Sequence, residues 1–177
     1  EELATQTVDN IGESISSLAD NGAKQFLVVN SSDLDILPGV IEFEQVDEAA
    51  LFTDLVNQLL PEKLEMLSQE LDGVEIALYD HVAISDEIRS NPQGFGLTNV
   101  NDPCQPVFPV EPICSAPDEF YFWDEYHPTR RVHQIIGEDM AQFVASHQVK
   151  SVPESSNNFG LLVFLGLLGT GLIHNRR

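Results

Sequence analysis

Between Asp47 and Leu71 the residues Phe52, Leu55, Val56, Leu59, Leu60, Leu64, Leu67 and Leu71 recur every three or four positions, drawing one broad apolar stripe along a helix. A stripe that wide belongs against a sheet. Pro61 lies inside it and is expected either to kink the helix or to start a second one. Asp72-Gly73 ends the pattern, and Val74–Tyr79 follows as a strand apolar enough to be buried on both faces. Upstream, Ile11, Ile15, Leu18 and Ala19 repeat at helical spacing within an amphipathic segment from about Thr5 to Asp20, which Asn21-Gly22 closes. Phe26–Val29 then reads as a short buried strand. Helix, strand, helix and strand in that order predict an α/β architecture. A chain of 177 residues, 42% hydrophobic, fits a single domain with its own core.

The charge balance narrows the function classes. With 29 acidic against 8 basic residues the formal charge is -21, which repels phosphate backbones and excludes nucleic acid as the expected partner. No regular Asp/Asn calcium loop accompanies the acidic excess, so it reads as a solvated surface.

Chemistry concentrates in Phe120-Tyr121-Phe122-Trp123-Asp124-Glu125-Tyr126-His127-Pro128-Thr129. An apolar, strand-like run delivers a carboxylate three residues before an imidazole. A hydroxyl nucleophile at neutral pH needs an imidazole to take its proton, and the imidazole needs a carboxylate to set its tautomer and stabilise the imidazolium. Asp124 and His127 suit those two roles. The helical spacing from Thr129 to His147 (Val132, Ile135, Ile136, Met140, Phe143, Val144) predicts a helix that holds the His127 loop in place, with Pro128-Thr129 where an N-terminal cap belongs.

Other candidates are weaker. Ser14, in Gly12-Glu13-Ser14, falls on the first helix rather than on a sharp turn after a buried strand. Asp80 and His81 close the Val74–Tyr79 strand, but His81 lacks a carboxylate at the D-x-x-H spacing and reads as a surface or core-capping histidine. Ser31 and Ser32 lie where α/β enzymes place ligand-facing loops, although turn chemistry accounts for them. Arg130 and Arg131 read as solvent-exposed, and His133 as a packing residue. Asp124, His127 and His133 have zinc- or iron-ligand chemistry, but no fourth ligand has a suitable spacing, so neither a metal nor another cofactor is expected.

The Asp124-x-x-His127-Pro128-Thr129 segment resembles the last block of the GDSL, or SGNH, hydrolases, a family of serine esterases and lipases. Gly22-Ala23-Lys24-Gln25-Phe26-Leu27-Val28-Val29-Asn30 resembles the family's passage from helix to strand, and Gly94–Val100 with Asp102-Pro103-Cys104 its connection before the final block. The likeness runs from about the first residue to Gln148. It implies a flavodoxin-like, three-layer α/β/α fold with a parallel sheet, and hydrolysis of carboxylic esters by Ser, His and Asp. Asp124 and His127 would be the catalytic pair contributed here. The family's G-D-S nucleophile block and its G-x-N-D oxyanion block are not in this sequence. The chain also begins at Glu1, without an initiator Met, and is therefore expected to be the C-terminal portion of a longer enzyme, inactive by itself.

From Ser90 to Pro117 the density of Pro, Asn and Gly predicts a long loop with little regular structure. Cys104 and Cys114 would pin it if bonded, contributing roughly 2–3 kcal/mol in an oxidising compartment. Two free buried thiols are the alternative, and the spacing is not C-x-x-C.

Residues 149–158 form a polar linker, and 159–177 an apolar helix ending in His174-Asn175-Arg176-Arg177. Fifteen apolar residues span only about 22 Å as a helix, but such a run inserts with interfacial residues and local thinning. The basic end would stay cytoplasmic, leaving residues 1–148 outside. This tail resembles the PEP-CTERM sorting signals of exported bacterial proteins, which implies an exosortase-type processing enzyme as partner. Ser155 stands where that signal carries its second proline. The expected protein is thus an exported esterase, anchored to the membrane at least transiently, whose substrate is a lipid or acylated polysaccharide ester. The alternative is a non-catalytic, membrane-anchored binding protein derived from the same fold, separable by whether a G-D-S block is encoded upstream.

Overall fold

The computed structural model describes residues 1–107 and 109–147. Helix α1 (Glu2–Asp20) leads into strand β1 (Gln25–Val29), then α2 (Pro38–Glu42), α3 (Val46–Glu70), β2 (Glu75–Tyr79), α4 (His81–Ser90), β3 (Asn99–Pro103), β4 (Phe120–Phe122) and α5 (Arg130–Ser146). Short 3-10 turns occupy Leu34–Ile36, Pro92–Phe95 and Pro117–Glu119.

The stripe on α3 is used as its spacing dictates. Val56, Leu60, Leu64 and Leu67 are buried against Ala4, Val8 and Ile15 of α1. Helix α3 runs unbroken through Pro61, neither restarting nor ending there. An interior proline costs about 3 kcal/mol, whereas each large apolar side chain buried on either side of it contributes roughly 1.5–3 kcal/mol. Burial therefore wins.

Strands β1 and β2 pair in parallel, from Gln25 opposite Glu75 to Val29 opposite Tyr79. Alternation then assigns the faces. Phe26, Val28, Ile76 and Leu78 pack on the α1–α3 cluster, while Leu27 and Tyr79 join Ile84 and Ile88 of α4 and Val132, Ile135 and Ile136 of α5. Helices thus lie on both faces of this two-stranded sheet, in a mixed α/β arrangement.

Three expectations need correction. The first concerns burial: Phe26–Val28 are only half-buried, Val29 is 38% exposed and Glu75 is exposed. Among the described residues β1 pairs with β2 alone, and a groove lined by Ile11, Ile15, Leu18 and Phe26–Val29 stays open beside it. The second concerns the sheet. The described strands make two separate parallel pairs, β1–β2 and β3–β4. Tyr79 at the end of β2 meets Tyr121 and Phe122 of β4 through side chains in one core cluster, not through a hydrogen-bonded ladder.

The third is the stretch Ser90–Pro117, which contains β3 and a 3-10 turn. Asn99-Val100-Asn101-Asp102-Pro103 has poor strand propensity, and pairing with β4 overrides it. The linker expected over 149–158 and the anchor expected over 159–177 lie outside the described residues. Among those that are described, no helix is long and apolar enough to cross a membrane.

Candidate active site

Strand β4 ends at Phe122, and the chain turns through Trp123–His127 before returning beside the strand. Trp123 N–H donates to the His127 carbonyl at 2.7 Å, and Thr129 N–H to the Tyr121 carbonyl at 2.8 Å. The Thr129 hydroxyl, almost fully buried, donates to the Phe120 carbonyl at 2.7 Å and also accepts from Val132 N–H, capping α5. One threonine therefore joins the strand, the turn and the helix. This is the cap that Pro128-Thr129 predicts, and it seats the turn on the buried face of α5.

Inside the turn, Asp124 Oδ1 accepts from the backbone N–H of Tyr126 at 2.9 Å and of His127 at 2.8 Å. These local bonds curl the chain back on itself, a turn that Asp and Asn side chains both make. The curl brings His127 Nδ1 to 2.9 Å from both Asp124 oxygens. With Nδ1–H donating to the carboxylate, Nε2 is left with its lone pair to accept a proton. The Asp124 side chain is 23% exposed and that of His127 73%, so the carboxylate is sheltered while the ring meets solvent.

The electrostatics agree with that division. Partial burial by itself would raise the Asp124 pKa, but the hydrogen bonds from Tyr126 N–H, His127 N–H and the His127 ring outweigh it and hold the carboxyl below its ordinary value of 3.8. Asp124 is thus an anion at neutral pH, fit to orient the ring and to stabilise its protonated form.

The neighbouring loop is covalently closed. Cys104 and Cys114 form a disulfide with a Cα–Cα distance of 4.9 Å, so the paired alternative holds. Beyond β3 this loop runs beside the turn: Cys104 N–H donates to the Phe122 carbonyl at 3.0 Å and Gln105 N–H to the Trp123 carbonyl at 2.7 Å.

The remaining candidates fall elsewhere. Ser14 is exposed on α1, and its hydroxyl donates to the Asn10 carbonyl at 2.7 Å. Ser31 N–H and C=O are both held by the Asn57 side chain, at 2.8 and 3.0 Å, while the Thr53 hydroxyl donates to the Ser32 carbonyl. The Ser31 and Ser32 backbones are thus held by side chains of α3 rather than by the turn bonding expected of them, the Ser31 hydroxyl adding one local bond to the Ser32 carbonyl at 3.2 Å. His81 opens α4, its N–H donating to Asn30 Oδ1 at 2.7 Å, and burial lowers its pKa against the opposing charge of Asp80. His133 is exposed on the first turn of α5. Arg130 is exposed and paired with Asp118, as its solvated reading expects. Arg131 is different: it is half-buried and donates to the Phe95 carbonyl at 3.1 and 3.3 Å, fastening α5 to the turn after α4. A guanidinium satisfying a loop carbonyl overrides the exposed reading.

Sequence reasoning missed Glu125. It sits between the two site residues in a polar run, yet is 1% exposed. Its Oε1 accepts from Val107 N–H at 2.6 Å, and its backbone carbonyl accepts from Gly39 N–H of α2 at 3.0 Å. No local pattern signals such burial, because both donors come from distant parts of the chain.

No protein-family model matches the chain. Among curated proteins it is similar to a GDSL esterase/lipase of Arabidopsis thaliana, 28% identical over 144 residues, covering 72% of this chain and 38% of that relative. It is also similar to the thermolabile hemolysin of Vibrio parahaemolyticus, 26% identical over 148 residues, covering 73% of this chain and 34% of that protein. A second Arabidopsis thaliana GDSL esterase/lipase is 27% identical over 164 residues, covering 77% of this chain and 41% of the relative. The chain spans between 34% and 41% of the length of these three relatives. Over 72% and 77% of its residues, then, the sequence carrying this Asp124–His127 turn is similar to two GDSL esterase/lipases.

Proposed function

We propose that this chain supplies the Asp and His of a carboxylic ester hydrolase of GDSL type, working with a serine and oxyanion donors encoded upstream. The observation that carries the reading is the 2.9 Å contact between His127 Nδ1 and the sheltered Asp124 carboxylate. In this arrangement His127 Nε2 takes the proton of the attacking serine and returns it to the leaving alcohol, while Asp124 holds the tautomer and stabilises the imidazolium. An acyl-enzyme forms as the ester C–O bond breaks, and water attacks it by the same proton route to release the acid.

The same reading has the enzyme exported, with the region after residue 148 as its membrane anchor and sorting signal. The Cys104–Cys114 disulfide supports an oxidising compartment. Lipid or acylated polysaccharide esters remain the proposed substrates.

The test is His127→Ala in the full-length protein, assayed on a chromogenic ester. Turnover falls by several orders of magnitude, with circular dichroism unchanged, because the serine loses its base. Hydrolysis near the parent level overturns the proposal.

A further inference from the structure

We infer that Glu125 is a positioning residue for His127, clamping the Asp124–His127 turn between α2 and the disulfide-closed loop. The inference rests on the esterase reading of Asp124 and His127 and adds to it a part that neither residue provides. Asp124 and His127 bind each other and the backbone of their own turn, so their mutual bonds define the pair's shape. Where that shape sits relative to the rest of the molecule is decided by ties that leave the turn.

Glu125 supplies two of these, to segments 86 and 18 residues away. Gly39 N–H of α2 reaches its carbonyl at 3.0 Å. Val107 N–H reaches its Oε1 at 2.6 Å. Trp123 adds a parallel tie, its carbonyl accepting from Gln105 N–H at 2.7 Å. Gly39 is also overlaid by the ring of Tyr126, close enough that a Cβ at position 39 would lie 2.5 Å from Tyr126 Cζ. The disulfide between Cys104 and Cys114 limits how far Val107 can recede from its acceptor.

A carboxyl group only 1% exposed needs hydrogen bonds to stay at that depth, and the Val107 N–H bond is one of the contacts that hold Glu125, and the turn with it, in place. Cut back to alanine, the side chain leaves Val107 N–H without this acceptor beside an emptied space, and the turn settles toward it. The peptide units on either side, which carry Asp124 and His127, move with it. General base catalysis requires the ring within hydrogen-bond reach of the nucleophile, and a misplacement of about 1 Å costs on the order of 100-fold in rate.

The experiment uses the full-length protein with a chromogenic ester, together with amide hydrogen exchange. Glu125→Ala is expected to lower kcat by about 10- to 100-fold with KM within about twofold, and to speed exchange at Val107 and His127 N–H. Glu125→Gln retains an oxygen acceptor for Val107 and is expected to stay within about threefold of the parent kcat with exchange still slow. A general packing defect would not be rescued selectively in this way. Should Glu125→Ala not fold, Glu125→Asp, which withdraws the carboxyl by one methylene, carries the same readouts. The inference is overturned if exchange accelerates while kcat stays within twofold, or if Glu125→Gln falls as far as the alanine variant with Val107 still protected. Parent-level hydrolysis by His127→Ala sinks the esterase reading instead. Even then, unchanged protection at Val107 and His127 in Glu125→Ala overturns the clamp independently.

Discussion

Asp124 carries three donors on one carboxylate, and that crowding makes its protonation state a stability question as well as a catalytic one. A carboxyl whose folded pKa lies below its unfolded value stabilises the fold above the unfolded pKa and loses that contribution as pH falls through the folded one. For Asp124 the window opens near its ordinary 3.8 and extends below it. Asp124→Asn is therefore expected to be less stable than the parent near neutrality, with the gap closing as the solution is acidified through that window. Urea titrations at a series of pH values check this. A gap that does not change on acidification contradicts the assignment of the lowered pKa to these bonds. At this scale the pair was legible in sequence because its bonds are local: Asp124, Tyr126 and His127 are within hydrogen-bonding reach through turn geometry alone. Glu125 was not legible, since Gly39 and Val107 approach it only after the chain has folded.

Among the elements, α3 bears most of the packing load on one face of the β1–β2 sheet. Leu60 is fully buried at the centre of its stripe, whereas Leu51 on the same helix is 57% exposed. Leu60→Ala is expected to destabilise by about 2–5 kcal/mol through lost burial and a residual cavity, and Leu51→Ala by less than about 0.5 kcal/mol. Chemical denaturation of the two variants checks the contrast, and equal effects would mean that α1 does not cover this face as described. The extents of α3 and α5 were readable to within a residue from their 3.6-residue repeats, whereas α1 starts at Glu2, earlier than the Thr5 its pattern suggested. Strand β3 was not, because Asn99, Asn101 and Asp102 disfavour strands until β4 offers partners. A parallel sheet was expected only from the family resemblance, and the long helix between β1 and β2 supplies the crossover that their parallel pairing needs.

For the whole molecule, the acidic excess and the apolar tail act together. A charge of -21 disfavours adsorption to anionic lipid surfaces, so attachment would rest on residues 159–177 rather than on the folded unit. Expressed with its upstream region, the protein is expected in the membrane fraction, and truncation after residue 148 is expected to move it to the soluble exported fraction. Fractionation followed by immunoblotting checks this, and an unchanged distribution removes the anchor from the account. The sequence by itself determined what short-range patterns encode: helix faces, the caps at Thr129 and Gly22, and an Asp-x-x-His turn that folds its carboxylate onto its imidazole. Only the tertiary structure decided that Cys104 meets Cys114, that Arg131 fastens to Phe95, and that Glu125 is buried between α2 and the disulfide loop. The physical reason is range. Periodicity and turn chemistry act over a few residues, whereas a buried polar group is stabilised by whichever distant backbone N–H groups the packed helices and strands deliver to it.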